Sequence, residues 1–187
     1  TAHILPTENA TTLTLFQKGS IDGAWVPEPW ATRLVQEGKG KVFLDEATLW
    51  PAGKYITTDV IVSQKFLGQY PATVKALLQA NNEAIAFLNA KANKQTAVDL
   101  VQAELKARTG KVLSDAVIAA AWPSLSFTAD PLAATWKSSF IAGVNAKVLN
   151  GSLNAADLKG IFDLRILNSL LKASKQKTVT AAGLGKE

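Results

Sequence analysis

The sequence predicts an α/β protein whose opening part alternates helix and strand and whose remainder is nearly all helix. Three observations predict it. Over the first forty-five residues, short apolar runs and helical patterns alternate with glycine stops and short connections, which favours a parallel or mixed sheet covered by helices. The run Tyr55–Val62 is rich in β-branched residues and reads as the best strand. From Ser63 onward the apolar residues recur at helical spacing.

Taken in order, Ile4-Leu5-Pro6 reads as a strand end or entry loop. Residues 8–18 place Leu13, Leu15 and Phe16 in a helical pattern that Gly19 closes as a residue suited to the left-handed conformation. Ile21–Val26 reads as a short buried strand stopped by Pro-Glu-Pro. A helix over Pro29–Glu37 follows, since proline suits the first helical position, and Gly38 ends it. Val42–Leu44 reads as a short strand after a Gly-Lys-Gly turn, and residues 45–54 read as a loop.

Ser63 caps a short helix through Leu67, and Pro71 opens a long amphipathic one carrying Val74, Leu77, Leu78, Ile85 and Leu88. Val98, Val101 and Leu105 mark the next helix, closed by Gly110. Ser114 starts a short helix ending before Pro123. Asp130-Pro131 starts another with Phe140, Val144 and Val148 in step, stopped by Asn150-Gly151. A last helix covers 163–173 with Leu164, Leu167, Leu170 and Leu171 on one side, and the Gly- and Ala-rich end Thr178–Glu187 is expected to fray. These helices have apolar faces and little sheet of their own to cover, so bare apolar surface is expected.

The 187 residues, 48% of them apolar, suffice for one sizeable domain or two small ones. There is no cysteine, which excludes disulfides and cysteine-built metal sites. Methionine is absent too, even at position 1, so the chain reads as a processed or trimmed piece. No signal segment is visible, and no apolar stretch approaches the ~20 residues of a membrane span. The net charge of +5 is spread over singly placed lysines without aromatic–basic interleaving, zinc knuckles or a recognition helix. It reads as a solvated surface with a weak bias toward anions, and argues against nucleic acid.

Trp25, Glu28 and Trp30 fall where a strand ends and a helix starts, the place where ligands bind in open α/β sheets and where helix dipoles favour anions. They fit a ligand wall, and equally a tryptophan-capped core with Glu28 at a surface turn. Thr57 and Thr58 offer hydroxyl donors to an anionic head group, or simply suit a strand. Trp50 reads as a loop residue packed on its own lobe, and Trp122 and Trp136 as core. The lone His3 and the adjacent Asp45-Glu46 lack the partners that acid–base or metal chemistry needs. Gly183-Leu184-Gly185 lacks the context of a phosphate loop. No enzyme constellation, metal site or cofactor is expected.

The run Phe16-Gln17-Lys18-Gly19-Ser20-Ile21-Asp22-Gly23-Ala24-Trp25 through Glu28-Pro29-Trp30 resembles the periplasmic substrate-binding proteins of ABC importers, nearest to the group for aliphatic sulfonates, taurine and nitrate. Further matching runs follow in order: Thr57-Thr58 with Val60-Ile61-Val62, Tyr70-Pro71 with Val74 and Leu77, Thr128-Ala129-Asp130-Pro131, residues 157–164, Leu167-Asn168 and Leu171-Lys172. The resemblance implies a type II periplasmic-binding-protein fold, two α/β lobes joined by a hinge, of which this chain resembles the second half. Residues 1–54 would then be part of the second lobe, 55–62 a hinge strand, and 63–187 helices returning to the first lobe plus the C-terminal region.

It further implies capture of a small anionic solute, an aliphatic sulfonate foremost, in an interlobe cleft lined by Trp25, Glu28, Trp30, Thr57 and Thr58. Hinge closure would then allow delivery to the permease of an ABC importer. The implied setting is the periplasm, or the outer face of the cell membrane as a lipoprotein, with the membrane met only through the permease or a lipid anchor. Alternatives are the same fold binding nitrate, taurine or a thiamine-precursor pyrimidine, an enzyme on that fold, or an independent helical interaction module beginning near Ser63.

Overall fold

A computed structural model describes residues 3–149 and 154–187. In chain order the helices are α1 (Asn9–Gln17), α2 (Trp30–Gln36), α3 (Gln64–Gln69), α4 (Pro71–Asn89), α5 (Lys94–Thr109), α6 (Asp115–Ala121), α7 (Ala133–Asn145) and α8 (Arg165–Ala173). Two short strands, β1 (Phe162–Asp163) and β2 (Gly185–Lys186), pair in parallel. The chain divides into two compact units. The first combines Thr1–Asp45 with Lys91–Ser126, and the second Glu46–Ala90 with Phe127–Glu187.

In the first unit α1 ends as its sequence requires: Gly19 takes a positive φ, and the amides of Lys18, Gly19 and Ser20 fold back onto the carbonyls of Thr14, Phe16 and Leu15. α1 packs on α2, and the Gly38-Lys39-Gly40 turn fits tightly between them. A methyl group at Gly38 would meet the Leu34 carbonyl at 2.7 Å and the Phe16 ring at 2.9 Å. α2 in turn packs on α6, burying Leu34 on one helix and Val117, Ile118 and Ala121 on the other. Gly110 closes α5 in the left-handed conformation, and Ser114 caps α6 by accepting from the Val117 amide at 3.3 Å. Between those helices the Gln102 amide donates to the Leu113 carbonyl at 2.6 Å and accepts from its N–H at 3.0 Å, so the connection is held at both polar groups.

The second unit is organised around α8. Leu164, Leu167, Leu171 and Ala181 form its buried cluster, with Leu78, Ala129, Phe162 and Val179 packed against it. Asn168, buried among them, donates to the Val179 carbonyl at 3.0 Å and accepts from the Val179 N–H at 2.9 Å. α4 begins at Pro71, buries Val74 and packs on α8, while Ser63 caps α3. Trp50 stacks on Tyr55 with ring centroids 5.9 Å apart, and its indole N–H donates to Glu46 at 3.1 Å. Trp136 meets Phe162 edge-on at 6.3 Å.

Three segments read as strands from the sequence are not strands here. Ile21–Val26, Val42–Leu44 and Tyr55–Val62, the last expected as a hinge strand, carry no ladder pairing. β-Branched residues make a strand only when a neighbour supplies hydrogen bonds and a face to pack on. Among the described residues nothing does, and Phe43 is 100% and Ile61 87% exposed. The bare apolar surface expected on the helices is present as well, at Leu77 on α4 and at Leu100 and Val101 on α5.

The end of the chain departs from expectation in the opposite direction. Residues 178–187 do not fray: Ala181 and Leu184 are buried, β2 pairs with β1, and the Lys186 carbonyl accepts from the Leu164 N–H at 2.8 Å. Small residues let this segment lie against the backbone of residues 160–164. α7 starts two residues after Pro131, because Leu132 turns through the left-handed region while its N–H is held by Asp130 at 2.9 Å. The stop read at Asn150-Gly151 lies outside the described residues.

Candidate functional site

The loop before α2 and the first residue of that helix carry three of the candidate residues. Trp25 is 65% exposed, so its indole presents an apolar surface to solvent. Glu28 is half-buried, and its carboxylate accepts from the Thr32 N–H at 3.1 Å, which secures the first turn of α2. The neighbouring amides are engaged as well. Trp30 and Ala31 donate to the Pro27 carbonyl at 2.9 and 3.2 Å, and Arg33 donates to that of Pro29 at 3.0 Å. The positive end of α2 is therefore matched by the chain's own carboxylate and carbonyls.

Trp30 lies under the Arg33 guanidinium, 4.6 Å from the ring centroid. Arg33 also forms a two-pronged pair with Glu37, at 2.8 and 2.9 Å. That hydrogen-bonded pair raises the pKa of Arg33 and lowers that of Glu37, because each stabilises the charge on the other. A planar cation held between an aromatic face and a carboxylate has little freedom left. Arg33 was not a candidate from the sequence, although its spacing from Trp30 (three residues) and Glu37 (four) brings all three to one face of α2.

Thr57 and Thr58 belong to the second unit, in the irregular segment between the Pro51–Gly53 turn and α3, and both are exposed. The segment is anchored where Ile56 donates its N–H to the Thr135 hydroxyl on α7 at 3.1 Å. Next to the threonines, Asp59 is half-buried, and loss of hydration raises its pKa. The structure thus places Trp25 and Glu28 on the loop before α2 and Trp30 at the first position of that helix, with the two threonines on a separate irregular segment. Among the described residues no group of three or more His, Asp or Glu side chains could hold a metal ion. No helix among them is long and apolar enough to cross a membrane.

Residues 1–102 match the protein-family model described as the NMT1-like family. No curated protein and no solved structure matches the chain.

Proposed function

Because the chain belongs to the NMT1-like family, within the periplasmic binding protein superfamily of sulfonate, nitrate and taurine ABC transporters, we propose that it captures a small aliphatic sulfonate for an ABC importer. The observation that carries the reading is the extent of the family match, since Trp25, Glu28, Trp30, Thr57 and Thr58 all lie within residues 1–102. In this reading the exposed Trp25 indole packs against the alkyl part of the ligand, where aromatic surface gains most from burial. The hydroxyls of Thr57 and Thr58 serve the sulfonate oxygens, which need donors and no proton exchange. Glu28 and Trp30, at the start of α2 and engaged with Thr32 and Arg33, complete the proposed ligand wall beside Trp25.

The fold proposed is the two-lobed type II periplasmic-binding-protein fold, with the segment 55–62 as its hinge, ligand held in the interlobe cleft and closure recognised by the permease. The setting proposed is the periplasm or the outer face of the cell membrane. A thermal-shift series with ethanesulfonate, nitrate and a hydroxymethylpyrimidine tests it. Ethanesulfonate at a hundred times its Kd is expected to add about 2.7 kcal/mol. At roughly 2–4 °C per kcal/mol for a chain of this size, that raises Tm by several degrees. Trp25→Ala is expected to abolish the shift while leaving the ligand-free Tm unchanged. A rise with the pyrimidine alone, or none with any sulfonate, overturns the reading.

A further inference from the structure

Asp22 and Gly23 stand in the segment between α1 and α2, just past the Ser20 amide that completes the end of α1. Both are exposed, and both lie outside helix and strand. Among the described residues neither takes part in a hydrogen bond or an ion pair. Around Gly23 the space is open, since a methyl group there would meet nothing within 4 Å.

An aspartate followed by glycine can react with its own main chain. The Gly23 nitrogen is joined to the Asp22 carbonyl carbon, so a bond from that nitrogen to Asp22 Cγ closes a five-membered ring. Closure is opposed by a side chain on the following residue and by a main chain held in regular hydrogen bonds. Gly23 has no Cβ and the widest conformational freedom of any residue, and no hydrogen bond holds the pair. Every other aspartate precedes a residue that carries a Cβ. Asp99 and Asp115 are in addition fixed within α5 and α6.

We infer that Asp22-Gly23 is a modification site, at which the chain isomerises to isoaspartate without an enzyme. The Gly23 nitrogen bonds to Asp22 Cγ and gives up its proton, while Cγ loses an oxygen as water, leaving a succinimide. Water then adds to one of the two ring carbonyls. Opening at Cγ restores aspartate. Opening at the main-chain carbonyl frees an α-carboxylate and routes the peptide link through Cβ and Cγ, a main chain one atom longer. One water leaves and one enters, so the mass is unchanged and nothing is oxidised or reduced. The lengthened link falls three residues before Trp25. Its effect on capture rests on the sulfonate reading above, in which the isomerised fraction loses the ethanesulfonate shift.

Holding the full chain near neutral pH at body temperature for several weeks tests the inference, with methyl transfer from S-adenosylmethionine by an isoaspartyl methyltransferase as the probe. Cleavage after Lys18 and Arg33 isolates residues 19–33, in which Asp22 is the only aspartate, and separates them from Asn150-Gly151. This peptide is expected to divide into two species of equal mass, the new one accepting methyl, at a rate within tenfold of the same peptide free in solution. Asp22→Glu is expected to abolish the methylation, because closure would then need a six-membered ring. Gly23→Ala is expected to slow it several-fold. Both variants are expected to keep the wild-type Tm, since the positions are exposed and an added methyl group at Gly23 meets nothing. No ligand enters this readout, so the sulfonate reading and the modification can fail separately. A 19–33 peptide that stays single and unmethylated, methylation that persists in Asp22→Glu, or a rate more than tenfold below that of the free peptide overturns the inference.

Discussion

At the scale of single residues, function and stability separate along burial. Asp59 is half-buried without a cation to offset the lost hydration, so its raised pKa is a cost to the folded state. The native state then holds the proton more tightly than the unfolded chain does. Stability contributed by this group is full below the ordinary aspartate pKa and falls as pH rises through the raised native value. Asp59→Asn is therefore expected to raise Tm near neutral pH and to leave it unchanged in acid, as thermal melts across pH would show. Asn168 is the opposite case, a buried amide with both polar atoms used on Val179. Asn168→Ala leaves two backbone groups unpaired and is expected to cost about 1–3 kcal/mol in chemical denaturation. Neither role shows in the sequence, because hydration and pairing depend on what comes near, and Val179 lies eleven positions away.

Helices were more legible than strands, and the reason is where each finds its hydrogen bonds. A helix satisfies its own backbone, so local signals suffice: Gly19, Ser63, Pro71, Gly110 and Ser114 each mark a boundary that the structure keeps. A strand borrows its bonds from elsewhere in the chain, and propensity in Tyr55–Val62 does not supply them. Conversely β1 and β2, two residues each, had no strand signal and exist because the chain end is steered against them. Gly185 makes that approach possible, since a methyl group there would collide with the Phe162 carbonyl. Gly185→Ala is expected to cost about 1–3 kcal/mol through overpacking. Faster amide exchange at Gly160 and Leu164, whose N–H groups bond to Leu184 and Lys186, would report the loss locally. At the loop before α2 the sequence placed Trp25, Glu28 and Trp30 together. It did not show that Glu28 and the backbone carbonyls already occupy the helix start.

For the molecule as a whole, the helical character from Ser63 onward was legible, whereas the strands read upstream of it did not form, and compactness follows neither boundary. The first unit takes Lys91–Ser126 from the helical part, because α6 offers Val117, Ile118 and Ala121 to α2. A boundary drawn from composition cannot see a partner that returns 80 residues later. The candidate site inherits the same limit. Trp25, Glu28 and Trp30 were legible together because they are neighbours in the chain, whereas Arg33 entered only through its contacts.

The return of α6 to α2 also orders events in time. The Gln36 side chain reaches the Ala116 carbonyl across 80 positions of chain. Closing a loop of that length costs about 4 kcal/mol of chain entropy by logarithmic scaling. The α1–α2 hairpin can form from neighbouring residues alone, but its apolar side stays open until the chain has passed through residues 46–90 and come back. Contacts of such long range slow folding. The interval before α6 docks is accordingly when this protein is most exposed to capture by a chaperone or to association with its own copies.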